Sequence, residues 1–173
     1  MTRFAELYLG ENQVEQAHQA LNRVLLIVRE IGDRIGEAHA LYGVGVVRQR
    51  TGRLDNAEAT LQHAQSLARR VGERFIEAQA LYALGEIALA RGNDITGLVR
   101  LAEAQQVFAE LGSTVWHAKA LILISDVHQG GGELDRARHD VDEALDLLRR
   151  ADSKEAAKLR KLLESNRAPS TAT

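Results

Sequence analysis

Apolar residues in the middle of the chain recur at helical spacing. After Ile35 come Ala38, Leu41, Val44 and Gly45, then Arg48, in steps of three and four. Thr51-Gly52-Arg53 interrupts the run, and a glycine there can take the positive φ that ends a helix. A second run carries Leu54, Ala57, Leu61, Ala64, Leu67, Ala68 and Val71 before Gly72. The pattern predicts two helices joined by a short turn, and a turn that short lays them antiparallel.

The pattern then repeats. Gly32-Asp33-Arg34-Ile35-Gly36-Glu37-Ala38-His39-Ala40-Leu41-Tyr42 returns as Gly72-Glu73-Arg74-Phe75-Ile76-Glu77-Ala78-Gln79-Ala80-Leu81-Tyr82. A more divergent copy runs from Gly112 to Ile122. The opening glycines, Gly32, Gly72 and Gly112, stand at a constant 40-residue step with no insertion. A fixed period of this size marks a stacked helical array. The third unit has Leu81, Leu84, Gly85 and Ala88, a turn at Gly92, then Gly97, Leu101 and Ala104. The fourth has Leu121, Ile124, Ser125 and His128, a turn at Gly132, then Ala137, Val141 and Ala144. Phe4, Ala5 and Tyr8, followed by Ala17, Leu21 and Val24, make a first unit that lacks the opening turn of its first helix.

A fifth unit fails near residue 153. Lys158, Arg160 and Lys161 replace the small and apolar residues of earlier units, leaving one narrow stripe of Ala156, Leu159, Leu162 and Leu163. That reads as a capping helix with one buried and one wet face. The expected organisation is a single array over 1–164. Its units run about 1–32, 33–72, 73–112 and 113–152, followed by a cap at 153–164 and a disordered tail at 165–173. Asp94 replaces the apolar residue of the other units, so the start of its helix should be less firmly pinned. The Gly130-Gly131-Gly132 turn should be looser than its counterparts.

Composition narrows the class. The chain has 173 residues and is 45% hydrophobic, enough for a sizeable core, and its one proline is Pro169 in the tail. With no cysteine, disulfides, thiolate metal sites and cysteine nucleophiles are excluded. A net charge of −2 gives no basic footprint for nucleic acid. Neither a signal core nor a membrane-length apolar run is present, so a soluble, cytoplasmic protein is expected.

Leu81-x-x-Leu84-Gly85, then Gly92, then Gly97-x-x-x-Leu101-x-x-Ala104 resembles the tetratricopeptide repeat (TPR) signature. So does Leu41-x-x-Val44-Gly45, Gly52, Ala57-x-x-x-Leu61-x-x-Ala64. Small residues Gly45, Gly85 and Ser125 should meet Ala57, Gly97 and Ala137 where paired helices cross. The 40-residue period and the Gly-Asp-Arg joint resemble the long-repeat subfamily. The Ala/Arg/Leu-rich composition resembles the C-terminal TPR regions of actinobacterial transcription regulators of the antibiotic regulatory (SARP) type. The resemblance implies an all-α, right-handed α-solenoid of about four antiparallel helix pairs with a C-terminal cap. The chain departs from the common pattern in lacking the proline that ends each second helix.

The resemblance also implies a concave groove lined by the first helix of each unit. Carried over by position, its residues are Glu6; His39, Tyr42, Val46, Gln49 and Arg50; Gln79, Tyr82, Glu86 and Leu89; and Lys119, Ile122, Asp126 and Gln129. Leu9, Gly10, Ala90 and Gly130 complete the set. Two tyrosines among mixed charges suit a peptide or helix with apolar and charged groups, although tyrosines at this spacing equally serve to pack adjacent helices. The carboxylate clamp of chaperone-binding TPRs is missing, since Gly43, Ala83 and Leu123 stand at its asparagine positions.

No chemistry competes with this reading. The six histidines form no His-x-x-x-His pair, and His128 and His139 straddle a turn without a surrounding carboxylate pattern. The triple glycine lacks the Lys-Ser/Thr of a phosphate loop. Acidic residues read as solvated partners of nearby arginines. The cap helix mixes Glu155 and Glu164 with its bases, unlike a phosphate-binding stripe. The expected function is therefore binding, without catalysis, metal or cofactor. The partner is a protein or peptide, or another domain of the same polypeptide, and not nucleic acid or membrane. The expected setting is the sensor domain of a bacterial transcription regulator, with a free-standing adaptor or a receptor for a short signalling peptide as the alternative. The incomplete first unit leaves apolar surface through which a homodimer could form.

Overall fold

The computed structural model describes residues 11–167, with side chains from 16 to 165. Glu6, Leu9, Gly10, the apolar residues of the expected first helix and the tail beyond 167 lie outside the described residues. Eight helices and no strand occupy what is described. They are α1 (Glu11–Glu30), α2 (Arg34–Arg50), α3 (Leu54–Val71), α4 (Arg74–Ala90), α5 (Asp94–Glu110), α6 (Thr114–Gly130), α7 (Leu134–Arg150) and α8 (Lys154–Arg167). The expected all-α class is the one observed.

Six turns share one construction. Gly32, Gly52, Gly72, Gly92, Gly112 and Gly132 all have φ between +65° and +78°, and they stand at even intervals along the chain. Each sequence period is therefore two structural half-periods. At each turn the residue after the glycine bonds back to the carbonyl five residues earlier, as in Asp33 N–H to Val28 O at 2.8 Å and Glu133 N–H to His128 O at 2.8 Å. This closure satisfies carbonyls that a helix end would leave orphaned. The triple-glycine turn carries the same bonds as the other five. The α7–α8 turn is different. Ala151 is extended there, and Ser153 Oγ accepts the Ala156 N–H at 3.0 Å to open α8.

The described residues form two compact units, divided between Asn93 and Asp94 at the turn of the third sequence unit. In the first, α2 packs on α1, α3 and α4, and α3 packs on α4. Ala38 and Leu41 of α2 share a core with Ala64, Leu67 and Ala68 of α3 and Ile76 and Ala80 of α4. A second cluster joins Ala57 and Leu61 to Ala83, Leu84 and Ile87. The close α2–α3 approach falls at Gly45, where an added Cβ would lie 2.6 Å from Leu61 Cγ. Ala57, the expected neighbour, is fully buried nearby.

In the second unit α6 packs on α5 and α7, and α8 packs on α7. Its core gathers Ala118, Leu121, Ala144, Leu145, Leu148, Ala156 and Leu163. Phe108, fully buried, stacks on Trp116 with ring centroids 5.5 Å apart. Asp94 opens α5, leaving Ile95 exposed. The cap helix buries Ala156 and Leu163 as expected but runs to Arg167, past the expected end at Glu164. No glycine or proline stands at 165–167 to stop it, and Ser165 Oγ donates back to the Leu162 carbonyl at 2.8 Å.

Candidate protein-binding face

Within the first unit, α2 and α4 lie side by side and bring two sets of expected site residues together. Gln49 Nε2 donates to Glu86 Oε2 at 3.0 Å, tying the two helices across one face. Tyr42 sits against both core clusters with its ring half-buried. Burial pushes its hydroxyl pKa up to about 12; the Glu86 carboxylate adds to the rise, and Arg50 opposes it. Tyr42, Gln49, Arg50 and Glu86 thus form one polar-aromatic cluster. Tyr42 packs between helices and also neighbours polar groups of the face, so it combines the packing role with a place on that face. Val46 packs on the second cluster, and Leu89 is half-buried. His39, exposed, has Nε2 3.8 Å from Glu73 Oε2. Tyr82 is half-buried.

Gln79 is a correction. It is 8% exposed and belongs to the packing, not to an open face. The reason lies in α4, where Ile76, Ala78, Ala80, Leu81, Ala83, Leu84 and Ile87 are all buried, so the helix is enclosed on most sides. Position alone, carried from exposed His39, does not register that enclosure.

In the second unit the α6 set is more occupied than expected. Lys119 Nζ lies 2.5 Å from Glu155 Oε1 of α8 and 4.3 Å from the Trp116 ring centroid. Its charge is already engaged from two sides. Ile122 packs against the core, while Asp126 and Gln129 are exposed.

Several polar pairs escape a reading of the sequence. Glu37, expected among the solvated acids, is 3% exposed. It accepts from Arg29 Nε and Arg34 Nη1, each at 2.8 Å. Hydrogen bonds from Arg29 first and Arg34 second hold its carboxyl below the ordinary carboxylate range despite its burial. Arg69 and Glu77 repeat the first pair one period on, at 2.6 Å. His128 does have a carboxylate: Nδ1 lies 2.7 Å from Asp140 Oδ2, with both side chains largely buried. Arg48 Nη1 donates to Thr60 Oγ1 at 2.6 Å in the equivalent place. The shared sequence separation across a helical hairpin is the available signal. His117 sits between Gln105, at 3.3 Å, and Glu143, at 3.8 Å, and burial lowers its pKa. Among the described residues no three His, Cys, Asp or Glu side chains gather as a metal site, and no helix is long and apolar enough to cross a membrane.

Comparison with known proteins agrees with this architecture. Residues 36–95, about a third of the chain, match the tetratricopeptide repeat family model. No curated protein matches the sequence. Among solved structures, the crystal structure of BtubC (BKLC) from P. vanneervenii aligns with a TM-score of 0.69 at 17% identity, covering 90% of this chain and 67% of that one. At that identity the likeness shows the fold alone, an all-α helical repeat of the solenoid class. The matched segment spans α2 to α4, the helices that carry the Tyr42–Gln49–Glu86 cluster.

Proposed function

We propose that the α2–α4 face is a docking surface for a peptide or a helix of a protein partner, and that the chain acts by binding. The observation that carries this is the Gln49–Glu86 hydrogen bond beside Tyr42, which fixes an acceptor-rich, aromatic face on two rigid helices. Rigid elements that hold a few polar groups and an aromatic ring reduce the ordering cost of binding. Glu86 supplies a carboxylate for a partner N–H or cation, and the exposed Arg50 supplies the opposite charge at the edge. Such a face takes an extended or helical segment bearing both charges.

The test is selection from a displayed peptide library against the whole chain, followed by affinity measurement on variants. Glu86→Ala should weaken the selected peptides roughly tenfold or more. Tyr42→Phe should weaken them less, because it keeps the ring that packs the core. Selected peptides that bind Glu86→Ala at full strength would refute the assignment.

The finer reading is that this module is the sensor of a bacterial transcription regulator, in which a partner on the face frees or buries an effector domain. Its support is the likeness of the Gly-Asp-Arg joint and the Ala/Arg/Leu-rich helices to such regulators. An in-frame DNA-binding domain upstream of Met1 is the expected result. A gene that starts at Met1 favours the adaptor or peptide-receptor reading instead.

A further inference from the structure

The joints between sequence units carry a repeated ion pair that the last joint breaks. At the first joint Arg29, near the end of α1, donates to Glu37 of α2 at 2.8 Å. At the second, Arg69 of α3 donates to Glu77 of α4 at 2.6 Å. Both pairs span eight residues. At the third joint the two partners are lost together, since Ala109 and His117 stand in their places. The fourth joint, from α7 to α8, keeps the base and loses the acid. Arg149 holds the place of Arg29 and Arg69, Lys154 that of Arg34 and Arg74, but Ala157 stands where the carboxylates of Glu37 and Glu77 would recur.

The place of the missing acid is a cleft. Ala157, itself exposed, lines an open space of about 360 Å³ with Arg149, Arg150 and Arg160. Arg160 replaces Ala40, Ala80 and Ala120 of the earlier units and is half-buried. Among the described residues neither Arg150 nor Arg160 pairs with an acid. Arg149 is held by Asp146 at 3.0 Å, a pair exposed on both sides and therefore weak. Asp152 also lines the cleft, but it is exposed and pairs with none of the three arginines. Ser153, whose side chain caps α8, adds to the wall, so the positive end of that helix strengthens the field. Like charges gathered around a half-buried guanidinium without a counter-ion are costly, and an anion in the cleft relieves that cost.

We infer that the α7–α8 cleft is a carboxylate-binding site, which takes from outside the group that Glu37 and Glu77 supply from within. Guanidinium forks match a carboxylate in two-point hydrogen bonds. Three arginines against one acid in the lining leave two positive charges, which suits a small dicarboxylate. The volume is at the lower end of small-molecule sites, roughly 300–1,000 Å³. The site lies wholly in the second compact unit and does not depend on peptide docking at α2 and α4.

The experiment is a titration of the full chain with succinate, to about 20 mM at constant ionic strength, read by heteronuclear NMR at the arginine Nε–H groups and the Ser153 amide. Saturable shifts with a Kd on the order of 1 mM are expected. Arg150→Ala, at an exposed position, and Arg160→Ala should each weaken binding roughly tenfold, with circular dichroism checking the fold. Ala157→Glu, which restores the acid of the earlier joints, should abolish it. Shifts that never saturate, or succinate binding that persists in Ala157→Glu or is unchanged in folded Arg150→Ala, overturn the inference. Phosphate at the same ionic strength should bind no more tightly; tighter phosphate binding overturns the assignment to carboxylate.

Discussion

Glu37 condenses what single residues contribute here. A carboxylate at 3% exposure is costly unless its oxygens are paired, and both are, by two arginines whose own side chains remain largely in water. Removing the charge by Glu37→Gln leaves the two guanidinium groups with a weaker acceptor and should cost about 1–3 kcal/mol at neutral pH. The pH dependence follows from its lowered pKa. The folded state favours the ionised form, so the contribution is fully present above the unfolded carboxylate value. It is lost as pH falls below about 4 toward the folded value. Urea unfolding of wild type and Glu37→Gln at neutral and acidic pH should therefore give a stability gap that narrows in acid; a constant gap would deny the ion pair this role. Little of this is legible in the sequence. The letters Arg29, Arg34 and Glu37 all repeat one period on, as Arg69, Arg74 and Glu77, but whether an acid is solvated or enclosed depends on the neighbouring turn. The same blindness sets Gln79 on an open face and leaves His128 without Asp140.

At the scale of helices, the sequence is far more informative, because one glycine decides each joint from α1 to α7. Gly72, at φ +78° with open space around the absent Cβ, shows that the turn glycines are kept for backbone conformation. The glycines inside helices are kept for packing, and they differ from one another. At Gly45 an added methyl would meet Leu61 at Cγ and Cδ2, 2.6 and 2.7 Å away, in a side chain that is itself fully buried. At Gly43 it would meet Leu21 chiefly at its tip, 2.9 Å from Cδ2, and Leu21 is only half-buried and can turn aside. Both substitutions gain about 1 kcal/mol in helix propensity. Gly45→Ala should nonetheless be destabilising by about 1–2 kcal/mol net, since α2 and α3 must separate, while Gly43→Ala should be close to neutral. Thermal melts of the two variants test this, and equal effects would mean the α2–α3 crossing is not the tight one. The small-residue crossing is legible in kind from Gly45 and its repeats. Its partner, Leu61 more than Ala57, needs the side-chain geometry. The end of α8 lies beyond the expected one for a related reason: polar residues without glycine or proline carry no stop, and only the backbone shows where the helix ends.

For the whole chain, the repeat period makes a helical array legible, and with it the class of the fold. What the period cannot supply is how cooperativity is distributed along it. Within each unit, core partners come from helices one or two places away in sequence, Leu61 with neighbours on α2 and α4 and Leu145 with those on α6 and α8. In such a repeat architecture, stability is close to a sum of local and nearest-neighbour contributions. Leu61 and Leu145 are 0% and 2% exposed, so truncating either to alanine should remove about 2–4 kcal/mol where it acts. Leu61→Ala should then raise hydrogen-exchange rates most in α2, α3 and α4, and Leu145→Ala most in α6, α7 and α8. Peptide-resolved exchange by mass spectrometry distinguishes this from the alternative. If either substitution lowered protection equally over residues 11–167, the array would open as a single cooperative body, and the nearest-neighbour account would fail. A locally confined response also matters for binding. A partner seated on α2 and α4 would then stabilise its own compact unit most, and the exchange pattern of the bound chain should mirror that of Leu61→Ala with opposite sign.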